Sequence, residues 1–142
     1  MGKPHIRPIA LGLITHQEHV FVSEGYDPVK DERFYRFLGG GIDFGETSIN
    51  ALQREFQEEI QATLINIEYL TCLDNIFTCD GKPGHELVQL FRCDFADSDF
   101  YRLRHVYTLI EGNDTKTAIW IPMGQVRSGT LNLVPHSCRA YL

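Results

Sequence analysis

The chain has 142 residues, of which 43% are apolar and 23% charged, enough to bury a sizeable core in one domain and unlike the composition of a disordered or fibrous chain. Its formal net charge of −6, with no basic cluster, argues against broad binding to nucleic acid or to an acidic membrane surface. An anionic substrate would therefore need a local source of positive charge.

The opening segment, Met1-Gly2-Lys3-Pro4-His5, carries no apolar signal region, and no apolar run approaches the roughly 18 residues of a membrane span. A cytoplasmic protein without a membrane partner is expected. Ile6 to Ile14 is rich in Ile, Leu and Ala around Pro8 and Gly12, which suits a strand whose start tolerates the proline. Thr15 to Glu18 reads as a turn, and the β-prone His19 to Val22 is expected to pair back with the first strand as a hairpin. Ser23 to Glu32, with Gly25, Asp27 and Pro28, reads as a loop. Arg33 to Leu38 alternates aromatic and basic side chains and reads as a strand leading into Gly39-Gly40-Gly41, a glycine-rich turn that lets backbone approach a ligand closely. On this strand Arg33 and Arg36 are candidates for contact with phosphate, and Tyr35 for stacking on a base.

A helix is predicted from Thr47 to Gln61, capped by Thr47 or Ser48 and continued by good helix formers. At about 100° per residue, Ile49, Leu52, Phe56 and Ile60 form one apolar stripe, while Glu55, Glu58 and Glu59 share the neighbouring face. Each like-charge pair at this spacing costs a helix about 0.2–0.5 kcal/mol. Arg54 can offset part of that cost, but a hard divalent cation, which takes oxygen ligands, offsets more of it. After the helix, Leu64 to Leu73, extended by Ile76 to Thr78, reads as a strand, Asp80 to Gly84 as a turn, and His85 to Phe95 as the returning strand of a long hairpin. Asp97 to Phe100 interrupts. Val106 to Ile110 and Ala118 to Ile121 read as strands on either side of a turn at Glu111 to Asp114, Pro122 opens a short helix over Met123 to Val126, and Ser137 to Leu142 forms a helical stub.

Cys72, Cys79, Cys93 and Cys138 make no Cys-x-x-Cys pair, so reduced structural thiols are expected, and the six histidines show no metal-ligand spacing. Many strands around one strong helix predict an α+β fold with a mixed sheet, in a single domain over residues 1–142.

The spacing of Gly40, five residues, Glu46, seven residues and then Arg54-Glu55-Phe56-Gln57-Glu58-Glu59-Ile60 resembles the Nudix box, the signature of the Nudix hydrolases. Gly40, Glu46, Arg54, Glu55, Phe56, Glu58 and Glu59 all match the pattern. Gln61 stands where the pattern has glycine, and Leu38 where a proline often precedes the glycines. The resemblance implies the Nudix fold, an α/β/α sandwich with the box as loop, helix and loop, and Mg²⁺- or Mn²⁺-dependent hydrolysis of a nucleoside diphosphate linked to another group. It further implies that Glu55, Glu58, Glu59 and the Gly39 carbonyl hold metal, and that Arg54 orients the acids through Glu46, since a guanidinium can clamp a carboxylate through two nitrogens. The general base stays open among Glu55 and Glu58 within the box and Glu86, Glu111 and Asp114 outside it. A second reading is a non-catalytic Nudix domain that binds a nucleotide as a sensor or regulator, although such domains usually lack box glutamates. A small-molecule nucleotide partner is expected, with a homodimer left open.

Overall fold

The computed structural model describes residues 4–142, so Met1 to Lys3 of the opening segment lie outside the described residues. Nine strands, β1 Arg7–Leu13, β2 Thr15–His16, β3 His19–Asp27, β4 Glu32–Arg36, β5 Leu38–Gly41, β6 Leu64–Cys79, β7 Lys82–Phe95, β8 Tyr107–Glu111 and β9 Asp114–Pro122, are joined by two α-helices, α1 Ser48–Ile60 and α2 Met123–Arg127. Short 3-10 turns at Ser98–Phe100 and His136–Tyr141 complete the order. One sheet runs β5-β1-β7-β6 and the other β2-β3-β9-β8, with β4 also paired to β3. The β1–β7 pairing is parallel and the other strand pairings are antiparallel, so the first sheet is mixed as expected and the second is antiparallel throughout.

Alternation along the strands builds two apolar layers. Ala10, Ile14, Phe21, Leu38 and Phe91 face the layer that α1 joins with Ala51, Leu52 and Phe56. Ile9, Leu11, Leu13, Val20 and Val22 face the opposite layer, closed by Met123 and Val126 of α2 and by Cys138. Strand β1 is thus buried on both faces, which is why Ile9 to Leu13 reads as a nearly continuous apolar run. Helices on both sides of the strands give the α/β/α layering.

Several local expectations are corrected. Gly39 to Gly41 form strand β5 rather than a turn, paired with Ala10 and its neighbours on β1. The glycine is needed for proximity: a Cβ on Gly39, at φ +147°, would lie 1.9 Å from the Ala10 carbonyl oxygen. The expected loop from Ser23 is strand as far as Asp27, because β4 folds back onto it. The first strand does not pair with His19 to Val22; β3 takes the short β2 instead, and β1 goes to β5 and β7. The turn at Asp80 to Gly84 narrows to Asp80 and Gly81, both at positive φ, so Lys82, Pro83 and Gly84 already belong to β7. Ile49 is exposed while Ala51 takes a core position, and Pro122 caps α2 rather than starting it.

Helix α1 starts where Thr47 accepts the Asn50 backbone N–H and ends at Gln61 in the left-handed region, φ 56° and ψ 39°. The Gln61 N–H donates to the Gln57 carbonyl oxygen at 3.0 Å and the Ala62 N–H to the Phe56 carbonyl oxygen at 3.2 Å, two nested bonds that close a left-handed helix end. Glutamine thus performs the turn that the family pattern assigns to glycine, at a steric cost of about 1–2 kcal/mol for an L residue. Gln61→Gly is therefore expected to raise the melting temperature, the gain limited to about 1 kcal/mol by the greater freedom of the unfolded chain. A melting temperature lowered by a comparable amount would show instead that the Gln61 side chain holds the helix end.

Candidate active site

Three elements bring the site together: strand β5, the loop that follows it and helix α1. Arg54, nearly two turns into the helix, reaches back over the loop, donating from Nε to Glu46 Oε2 at 2.7 Å and from Nη2 to Glu46 Oε1 at 2.8 Å. The same Nη2 donates to the Gly41 carbonyl oxygen at 2.9 Å, and Nη1 donates to Glu55 at 3.0 Å and to Glu58 at 3.3 Å. All five guanidinium hydrogens therefore have acceptors. Glu46 also accepts the Asp43 backbone N–H at 3.0 Å, which fixes the loop between strand and helix. These bonds, from Arg54 first and then from the Asp43 N–H, outweigh partial burial and hold the Glu46 carboxyl down to about 2.

Gly40 sits against the carboxylate of Glu55, where a Cβ would fall 2.5 Å from the Glu55 Cδ. Glycine at this position leaves Glu55 its place. Glu55, Glu58 and Glu59 line one cavity of about 480 Å³, together with Gly39, Arg36 and Glu111. Glu59 is half-buried, and burial first, then a hydrogen bond and repulsion from Glu55 and the charge of Glu111, push it up to about 8, with Lys116 acting in the opposite sense.

The residues singled out in the sequence divide on this geometry. Arg36, Gly39, Glu55, Glu58, Glu59 and Glu111 share the cavity, while Asp114, opposite Glu111 across the β8–β9 turn, is exposed and outside its lining. Glu86 is almost fully buried and also outside that lining, accepting from Arg36 Nη2 at 2.8 Å and from Asn75 Nδ2 at 3.1 Å. Tyr35 packs into the apolar layer beneath α2, and Arg33 points to the far side of β4, where it pairs with Glu24 at 3.0 Å. Two cavity cations went unread in the sequence. Arg7 lies against Gly41, a placement set by the pairing of β1 with β5 and without a local signal. Lys116 pairs with Glu111 at 3.1 Å, and the turn at Gly112 and Asn113 could have placed it opposite the acidic helix.

As the side chains stand, no three His, Cys, Asp or Glu among the described residues converge into a ligand set. The donor chemistry nonetheless fits a hard cation. Three carboxyls, Glu55, Glu58 and Glu59, border one cavity, and the influence of Glu55 helps to raise Glu59, a crowding of oxygen donors and negative charge that a divalent ion would offset.

With chelator present, these two acids give stability a slope of opposite sign at each end of the pH range. Glu59, raised from 4.5 to about 8 in the folded state, makes the fold progressively less stable as pH rises through that interval. Glu46, lowered to about 2, contributes stability that is lost as pH falls below 4.5. Melting curves across pH are expected to lose the alkaline-side slope in Glu59→Gln and part of the acid-side loss in Glu46→Gln; unchanged profiles would contradict these environments.

A family model described as NUDIX domain matches residues 5–137. Among solved structures, the MutT NUDIX hydrolase from Burkholderia pseudomallei superposes with a TM-score of 0.63 at 17% identity, over 84% of this chain and 85% of that one. A NUDIX hydrolase from Nitrosomonas europaea gives 0.62 at 17% identity, over 94% and 82%. A structure described as a UDP-X diphosphatase gives 0.60 at 17% identity, over 96% of this chain and 58% of that one. Likeness at such identity shows the fold. A sequence comparison with curated proteins gives no significant match.

Proposed function

The chain belongs to the Nudix hydrolase family, enzymes that act on phosphoric anhydride bonds, and on that premise we propose that it hydrolyses the pyrophosphate link of a nucleoside diphosphate joined to another group. The observation that carries this reading is the single cavity in which Glu55, Glu58 and Glu59 face Arg7, Arg36 and Lys116. Acids alone would repel a pyrophosphate and cations alone would bind it without activating water; the two sets together suit both tasks. Two structural relatives, an ADP compounds hydrolase and a UDP-X diphosphatase, agree with a nucleoside diphosphate derivative as substrate.

Glu55, Glu58 and Glu59, with the Gly39 carbonyl, would hold Mg²⁺ or Mn²⁺. Such an ion supplies neutralisation of phosphate oxygens and a lowered pKa for the attacking water. Arg54 stays out of the chemistry in this reading, because every one of its hydrogens is committed to the loop and the glutamates. Arg7, Arg36 and Lys116 bind and orient the diphosphate by charge. Glu111 is the acid outside the box best placed to take a proton from water, as it borders the cavity beside Glu59. Glu86 is better occupied as the partner of Arg36 than as a base. A domain that only binds a nucleotide is the weaker reading, since every box carboxylate is present.

Activity is expected to require added Mg²⁺ or Mn²⁺ and to vanish on chelation. Glu58→Gln removes one charge while keeping the side chain's shape, and is expected to cut turnover by several orders of magnitude. The melting temperature in chelator should stay unchanged or rise slightly, because Glu58 is exposed and repels its neighbours. Turnover near the parent's in Glu58→Gln, or full turnover in excess EDTA, would overturn the metal assignment.

A further inference from the structure

A second cavity, of about 500 Å³, adjoins the first across Arg36, whose side chain borders both. Its chemistry differs from that of the first. Two aromatic rings line it, Phe34 from β4 and Phe77 from β6, one from each sheet. Each ring lies across the glycine directly opposite on the neighbouring strand. A Cβ on Gly25 would meet the Phe34 ring at 2.3 Å, and one on Gly84 would meet the Phe77 ring at 2.3 Å. The two glycines therefore let the rings lie against the sheets at the cavity wall, and any side chain there would displace them.

The charges around this cavity are already engaged. Asp27 accepts the backbone N–H groups of Val29 and Lys30, Lys30 donates to the Thr78 carbonyl oxygen at 2.8 Å, and Glu32 accepts from Asn132 at 2.6 Å. Arg36 is held by the buried Glu86, itself fixed by Asn75. Lys30 and Arg36 stand against Asp27, Glu32 and the exposed Asp74, so this end has no surplus of positive charge for a phosphate. The first cavity differs in kind: Arg7 and Lys116 join Arg36 on its wall, and its acids are the set that a divalent ion would neutralise.

We propose that the second cavity receives the uncharged, planar end of the substrate, a nucleobase stacked against Phe34 and Phe77, and that Arg36 marks the junction between base-binding and diphosphate-binding halves. The inference rests on the hydrolase reading for its substrate but makes a separate claim about binding. Flat apolar rings at a half-buried wall favour an aromatic heterocycle over a sugar, which offers hydroxyls that need partners, and over a phosphate, which needs cations. The Glu86–Arg36 pair keeps the guanidinium at the boundary instead of letting it fall into either cavity.

The test separates binding from catalysis. Protein in EDTA is titrated with the four common nucleoside 5′-monophosphates, and with ribose 5-phosphate as a control that lacks the base, while the aromatic ¹H–¹³C NMR signals of Phe34 and Phe77 are followed. At least one nucleotide is expected to shift both rings, ribose 5-phosphate neither, and Phe77→Ala to weaken that nucleotide's binding about tenfold or more while Phe77→Tyr retains it. Folding of each variant is checked by its melting curve, and Phe34→Ala provides an independent second probe if Phe77→Ala does not fold. Rings unmoved by every nucleotide, or moved equally by ribose 5-phosphate, would overturn the proposal. Ring shifts without any metal-dependent turnover on nucleoside diphosphate derivatives would sink the hydrolase reading and leave the base site standing.

Discussion

One guanidinium holds the site together. Arg54 bonds to Glu46 in the loop, to the Gly41 carbonyl in strand β5 and to Glu55 and Glu58 on its own helix, so the three elements of the box are tied at a single point. Charge-assisted bonds through two nitrogens fix direction as well as distance, which a lysine at the same place could not do. The arrangement also answers the problem that the helix sets for itself. Its acids repel one another, and a partly buried cation with five hydrogens to give is the available internal counterweight.

The helix stays in place for a different reason. Leu52 and Phe56, with Ala51, enter the apolar layer formed by β1, β7 and β9, and the neighbouring face carries the acids to the cavity. A two-sided strand such as β1 makes this possible, because its inward residues on one face meet α1 and those on the other meet α2. Gly12 is part of the same fit, with the Phe56 ring 3.1 Å from where its Cβ would be. The acidic face is thus displayed by a helix whose other side is packed to close contact, and its carboxylates need not hold the fold.

The parts legible in the sequence were those set by local spacing. The central helix, expected over Thr47 to Gln61 and found over Ser48–Ile60 with Thr47 as the cap, the long β6–β7 hairpin and the acids on one helical face all follow from residues within a few turns of one another. What could not be read depends on partners far along the chain. The glycines looked like a turn because glycine usually marks one, yet the β1 backbone crosses so close that only glycine can pair with it. Ser23 to Asp27 looked like a loop because its turn residues outweighed its pairing with β4. Arg7 and Lys116 reach the cavity, and Tyr35 and Arg33 do not, for the same reason: the register of a strand against a distant neighbour decides which face a side chain takes. Glu86 shows the limit most clearly, since an acid opening a strand gives no sign that an arginine fifty residues earlier will cover it.

The commitment of every Arg54 hydrogen divides the basic residues near the site into two kinds. Arg54 is bonded on all sides and partly buried, with 28% of its side chain exposed, whereas Arg7 and Lys116 are exposed residues on the cavity wall. Mobile ions screen the second kind far more than the first, with a Debye length of about 8 Å at physiological ionic strength. Rising salt would therefore weaken the capture of a charged substrate well before it loosened the frame that holds the carboxylates. The enzyme's apparent affinity and its architecture would answer to ionic strength on separate scales.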